Sequence, residues 1–199
     1  AELEEPDPAV RRAIYIAMGR INAGGAADAL VNALRFDDGR DAYRRDGLVR
    51  AIEYTGKAGI DKLLALADSG EGRDLERVLE VYPALRSRAA GEGLARLLKN
   101  YHVTPPQLVG LIRSYSNYQL EPPLALTTLE AYLASLPKVD KDAPPESKEA
   151  KRAVEMMPVK LAALEALASG GALHSDKMRA ALVEMLGDAD PALRLRVIH

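Results

Sequence analysis

The chain contains no cysteine and no tryptophan, and only one phenylalanine. Without cysteine, this segment cannot hold a disulfide, a thiolate zinc site, a cysteine nucleophile or a covalently attached c-type haem. The compartment stays open, because exported domains can also lack cysteine. Aromatic residues make up 5% of the 199 residues and hydrophobic residues 48%. The hydrophobic residues are mostly Leu and Ala, which favours close helix–helix packing over a β-sandwich.

A large charge of one sign and a long apolar run are lacking as well. The 27 basic and 29 acidic residues give a net charge of −2, without the strongly basic balance typical of nucleic-acid binding. The sequence has no apolar run long enough to predict a membrane span and no visible signal peptide. It stops inside a helical pattern at residues 194–199, so we expect a piece of a longer protein.

An internal repeat is the strongest positive feature. The apolar pattern of residues 13–21 recurs 34 positions later in residues 47–55, and that of residues 29–33 recurs in residues 63–67. The apolar positions have helical spacing. The repeat therefore predicts two pairs of short amphipathic helices, roughly 8–22 with 26–36 and 41–55 with 58–68.

Three further helical pairs are predicted downstream. The third has apolar stripes at 75–82 and 94–98, in a weaker register. The fourth opens at Thr104-Pro105, an N-cap followed by Pro at the first helical position, and its second helix begins near Pro122. The Pro- and charge-rich residues 137–152 predict an exposed insertion, either a solvated linker or a partner contact. In the fifth pair, Pro158 is expected to kink or divide the helix at 153–168, and the second helix covers 175–186.

The sequence Asp190-Pro191-Ala192-Leu193-Arg194 repeats the opening Asp7-Pro8-Ala9-Val10-Arg11 almost residue for residue. Asp-Pro-x-apolar-Arg, followed by a helix, a Gly-containing turn and an Ala/Leu-rich helix, resembles HEAT repeats, including the lyase-like HEAT group. The resemblance implies an all-α fold over residues 1–199: a right-handed α-α superhelix, or α-solenoid, of about five helical hairpins plus a truncated sixth. The chain is also similar to helical-repeat segments of large planctomycete-type multidomain proteins that carry dehydrogenase and haem domains.

Aspartates and arginines recur at the starts of the first helices of the pairs. Asp7 and Asp190 are expected to cap helices, and Asp41 to pair with Arg45 at i,i+4. We interpret these charges as helix caps, an inter-repeat ladder or a solvated face. The candidate structural residues are Asp7, Arg11, Arg12, Asp41, Arg45, Asp190 and Arg194.

The sequence shows no pattern for catalysis, a cofactor or a metal. His102, His174 and His199 lie in different repeats without a ligand-spaced partner. His174-Ser175-Asp176 holds the residue types of a catalytic triad, but adjacent side chains point apart. We therefore predict a protein that is not an enzyme and binds no cofactor. HEAT-like folds include DNA glycosylases, so nucleic-acid binding through residues 40–50 is kept as an alternative.

The predicted function is a non-catalytic protein–protein interaction scaffold or interdomain spacer, with protein or flanking domains of the same chain as partner. The competing hypothesis is an accessory helical domain of a multidomain redox protein. The binding surface is expected on the second helices or on the inter-repeat turns. The candidate partner-binding residues are Tyr101, His102, Arg113, Tyr115, Asn117 and Tyr118. The alternative for this segment is that Tyr115 packs in the core while Asn117 and Tyr118 form an ordinary turn.

Overall fold

The computed structural model describes residues 5–69, 72–100, 102–114, 122–136, 144, 146–169 and 183. Within these residues the chain forms ten α-helices and one 3₁₀ turn, and no β-strand. The predicted all-α class is therefore confirmed. The helices group into two compact units. The single domain expected over residues 1–199 stays a prediction.

Among its described residues, the first unit contains six α-helices. They are α1 (Pro8–Ile21), α2 (Ala26–Arg35), α3 (Ala42–Tyr54), α4 (Lys57–Ala67), α5 (Gly72–Val81), followed by the 3₁₀ turn Tyr82–Ala84, and α6 (Arg88–Leu98). The second unit contains α7 (Pro105–Arg113), α8 (Pro122–Ser135), α9 (Lys148–Glu155) and α10 (Met157–Ser169).

Local signals set the helix boundaries of the first unit. The Asp7 carboxylate accepts hydrogen bonds from the backbone N–H groups of Ala9 at 2.8 Å and Val10 at 3.3 Å, which satisfies two free donors at the start of α1. Gly25 and Gly56 precede α2 and α4 with φ of 84° and 64°, values that glycine adopts without strain. The four helices predicted from the repeat are confirmed to within about two residues, the usual uncertainty of a helix end.

Successive helical pairs stack in the first unit: α1 packs on α3, α2 on α4, and α4 on α6. The α1–α3 contact is close, because a Cβ atom on Gly19 would overlap the backbone of Ala51, and one on Gly47 would lie 3.0 Å from Cα of Arg12. The third pair differs, since α5 packs mainly against α4 rather than α3. The core of the unit is aliphatic; its fully buried members include Leu30, Leu34, Leu48, Ile52, Ile60, Leu63, Leu94 and Leu97.

In the second unit, α10 packs against α7 and α8. At the start of α7, the backbone N–H and the hydroxyl of Thr104 donate to Oε1 of Gln107 at 2.9 and 2.8 Å, so the predicted N-terminus is confirmed. Pro158 lies at the second position of α10, and the predicted division of this helix is found at Met156. Burial raises the pKa of the Tyr132 hydroxyl in α8 to about 12.

The segment predicted as an exposed insertion, 137–152, is partly helical. Ser147 caps α9 by accepting the backbone N–H of Ala150 at 3.1 Å, and Ala153 in the last turn is buried. A capped amphipathic helix thus begins inside the charge-rich stretch, whose composition alone had indicated a loop. Residues 137–143 lie outside the described residues, as do the predicted helix 175–186, apart from Val183, and the repeated motif at 190–194.

Candidate interaction surface

A ladder of side chains connects successive helical pairs in the first unit. Nη2 of Arg11 lies 3.1 Å from Oδ2 of Asp41, and Nε of Arg12 donates to Oδ2 of Asp46 at 2.6 Å. Asp41 also caps α3 by accepting the N–H of Arg44 at 3.0 Å. Further rungs are Lys62–Asp28, Arg35–Asp74, Arg96–Asp68 and Arg20–Tyr54. The rungs explain the recurring Asp and Arg residues in structural terms.

The turn between α2 and α3 contains a buried carboxylate. The Asp37 side chain is inaccessible to solvent, and its Oδ2 accepts the N–H of Gly39 and Nε of Arg45, both at 3.2 Å. Arg45 also reaches Glu80 of α5 at 3.3 Å. The expected i,i+4 pair between Asp41 and Arg45 is not what the structure shows, because a desolvated carboxylate attracts Arg45 more strongly than an exposed one.

The basic cluster considered for nucleic-acid binding is largely paired. Arg44 and Arg45 face Asp37, at 3.7 and 3.2 Å, and Arg50 lies 3.0 Å from Glu53. Only Arg40 projects into solvent, with 89% of its side chain exposed and Asp38 at 3.7 Å. A hydrogen bond from the backbone N–H of Arg40 holds the pKa of Asp38 below its usual value, with help from nearby arginines. Carboxylates are interleaved with these arginines throughout.

Two aromatic side chains flank the same turn and face solvent. Phe36, at the end of α2, is 71% exposed, and Tyr43, in the first turn of α3, is 60% exposed. The apolar pattern of the sequence does not single out either residue. The repeat offered a signal for their exposure. The positions 34 residues later hold Gly70 and Arg77, so neither aromatic residue occupies a repeated apolar position. We call Phe36, Arg40 and Tyr43 the turn surface.

Two of the predicted partner-binding residues lie among the described residues. His102 belongs to the first unit, is exposed, and donates its backbone N–H to Oδ1 of Asn100 at 2.9 Å. Arg113 belongs to the second unit and is exposed, with Nη2 3.9 Å from Oε2 of Glu165. The other members, Tyr101, Tyr115, Asn117 and Tyr118, lie outside the described residues, as do Asp190 and Arg194. This surface stays a prediction.

Among the described residues, no group of three or more acidic or histidine side chains is placed to hold a metal ion. None of the described helices is both long enough and apolar enough to cross a membrane. Comparison with known protein families, curated proteins and solved structures finds no match to the chain. The geometry of the first unit is therefore the basis for any functional proposal.

Proposed function

We propose that the chain is a HEAT-like α-solenoid that acts as a non-catalytic protein–protein interaction scaffold or interdomain spacer. The observation that carries the proposal is the stacking of α1 on α3 and of α2 on α4 with side-chain rungs 34 positions apart. One helical pair cannot bury its apolar face alone, and stacked pairs form a continuous core. A repeat array of this kind offers an extended surface without requiring a catalytic centre.

The turn surface is the proposed contact site. Exposed aromatic and arginine side chains combine apolar area with hydrogen bonding, and these residue types are enriched in the energetically dominant parts of interfaces. Phe36 and Tyr43 bracket an inter-repeat turn anchored by the buried Asp37 carboxylate, which accepts hydrogen bonds from Gly39 and Arg45. Because a rigid site loses little conformational entropy on binding, this turn is better suited to a partner than a loop without such an anchor.

Nucleic acid is the less favoured partner for this surface. A phosphate-binding patch requires cations that are free to replace counterions. Arg44, Arg45 and Arg50 are instead paired with carboxylates of the first unit. Arg40 alone supplies too little positive charge for an affinity that depends on several phosphate contacts.

Affinity capture with the double variant Phe36→Ala/Tyr43→Ala tests the scaffold. The unaltered chain and the variant Val154→Ala, which changes an equally exposed apolar side chain of α9, serve as matched controls. We expect proteins identified by mass spectrometry with both controls to be lost with the double variant. The same proteins captured by all three chains would contradict the turn surface.

Small-angle X-ray scattering tests the solenoid. A compact globule of this length has a radius of gyration of about 16 Å. An α-solenoid is elongated, so we expect a clearly larger value, with a distance distribution extended toward long separations. A radius near that of a compact globule would contradict the superhelical arrangement.

A further inference from the structure

A row of arginines crosses the end of α3 that lies farthest from the turn surface. Arg20, near the end of α1, reaches Tyr54: its Cζ is 4.8 Å from the ring centroid, and its Nη2 donates to the tyrosine hydroxyl at 3.2 Å. The two residues hold equivalent positions of the 34-residue repeat. Tyr54 stays 48% exposed although α1 packs against its helix, so this position faces solvent where two pairs meet.

Glu53 brings further arginines into the same row. Its Oε1 accepts the backbone N–H of Arg86 and, at 2.8 Å, that of Ser87, both in the turn before α6. Its Oε2 lies 3.0 Å from Nη1 of Arg50. One carboxylate thus fixes the turn before α6 beside the end of α3. We call Arg20, Arg50, Tyr54 and Arg86 the arginine row.

The arginine row has hydrogen-bond donors without matching acceptors. The side chain of Arg86 is exposed and makes no hydrogen bond or ion pair with the described residues. The Tyr54 hydroxyl accepts from Arg20, so its own proton is available to a further acceptor. A ligand for this row must therefore supply acceptor atoms.

Carboxylates near the row are already engaged. The Glu53 side chain is only 12% exposed, and three donors occupy its two oxygens. Asp46, the other carboxylate of α3, accepts from Arg12 of α1 at 2.6 Å. On the neighbouring helices, Asp61 and Glu92 each pair with a basic residue four positions before them. These described carboxylates leave the row with a surplus of positive charge.

We propose that the arginine row binds an extended acidic segment of a partner protein. Ionised carboxylates accept hydrogen bonds and do not donate them, and their pairs with guanidinium groups are among the strong hydrogen bonds of proteins. Donors on α1, on α3 and in the turn before α6 suit a segment that crosses the helical pairs. The row and Tyr43 lie at opposite ends of α3, so this is a second contact site, beyond the turn surface of the proposed function.

Two features favour an acidic protein segment over nucleic acid. A base stacks on an open aromatic ring, whereas the guanidinium of Arg20 already covers one face of Tyr54. Affinity for a phosphate backbone grows with the number of cations that replace counterions, and the three arginines of the row support few such contacts.

Fluorescence anisotropy with a labelled octamer of glutamate tests the proposal. We expect the chain to bind this probe and not a labelled octamer of glutamine. Arg86→Glu should weaken binding about tenfold, because it places a carboxylate where the probe needs a donor. Arg40→Glu is the matched control: it changes the net charge equally, at an exposed arginine of the turn surface, and should weaken binding less than about twofold.

A second variant probes the hydroxyl. Tyr54→Phe keeps the ring beneath Arg20 and removes the proton available to a carboxylate, so affinity should fall about fivefold while circular dichroism stays unchanged. Equal weakening by Arg86→Glu and Arg40→Glu would overturn the proposal, since net charge alone would then explain binding. Absence of binding would also overturn it, as would tighter binding of an oligothymidine of the same length that Arg86→Glu abolishes. None of these results touches the turn surface, which affinity capture tests separately.

Discussion

The first two helical pairs and the third pair are joined in different ways. Between α1 and α3, backbone approaches backbone at Gly19 and Gly47, and polar rungs run along the edges. In the third pair, the fully buried Tyr82 donates its hydroxyl to the carbonyl of Ala90 at 2.6 Å, in space left by Gly93. Where the 34-residue register holds, helices can pack through small residues; where it weakens, a large side chain fills the gap.

The ion pairs of Asp37 link the regular pairs to the third pair, and removing them should have the largest effect on stability. Asp37 neutralises Arg44 and Arg45, and Arg45 reaches Glu80 in the third pair. Replacing Asp37 by Ala leaves these guanidinium groups without their buried counter-charge, so we expect a loss of about 3 kcal/mol in the free energy of unfolding. Urea denaturation measures this loss. Asp38→Ala, in the same turn but exposed, should change stability little, and an equal loss in both would contradict the role of burial.

Gly19→Ala should weaken the close packing of the regular pairs. Its methyl group meets backbone that cannot rotate away, so we expect a net destabilisation of about 2 kcal/mol despite the better helix propensity of Ala. Gly110 in α7 has open space around it, and Gly110→Ala should stabilise the chain by about 0.5 kcal/mol. Thermal unfolding of the two variants in parallel shows whether each substitution stabilises or destabilises the chain. A stabilising Gly19→Ala would show that the α1–α3 contact is looser than described.

Tyr82→Phe probes the third pair. It removes a buried hydrogen bond and leaves the Ala90 carbonyl without that donor, at an expected cost of about 1 kcal/mol. Tyr54→Phe removes a hydroxyl from an exposed rung with Arg20 in the regular pairs, and should cost less than about 0.5 kcal/mol. Chemical denaturation compares them. Equal losses in the free energy of unfolding would contradict a greater dependence of the third pair on its buried tyrosine.

Asp41→Asn should give the smallest effect. Asn still caps α3, but the ion pair with the partly buried Arg11 is lost, so we expect a loss of about 0.5 kcal/mol. The loss should shrink in high salt because screening already weakens the pair. Unfolding measured at low and high ionic strength tests this. An effect independent of salt would assign the role of Asp41 to capping alone.

Helix boundaries were predictable because their signals are local. Asp7 with Pro8, and Thr104 with Pro105, specify helix starts within a few residues. The partner of α5 was not predictable, because an apolar stripe shows which face is buried but not which helix covers it. The partner of Arg45 was mispredicted for the same reason. The i,i+4 spacing predicted Asp41, whereas Arg45 pairs with the buried Asp37, and burial could not be read from spacing. The exposure of Phe36 was not predicted, because hydrophobicity alone does not show which apolar side chains face solvent.

The rungs of the first unit have a consequence for how the chain is made. They join residues 28 to 39 positions apart, from Arg96–Asp68 to Arg35–Asp74. At a synthesis rate of about 5–20 residues per second, such a stretch takes roughly 1 to 8 seconds to produce. Helices form in about a microsecond and loops of this size close quickly. Each pair can therefore dock on its predecessor as soon as both have left the ribosome, so the first unit is expected to fold progressively from its N-terminal end during translation.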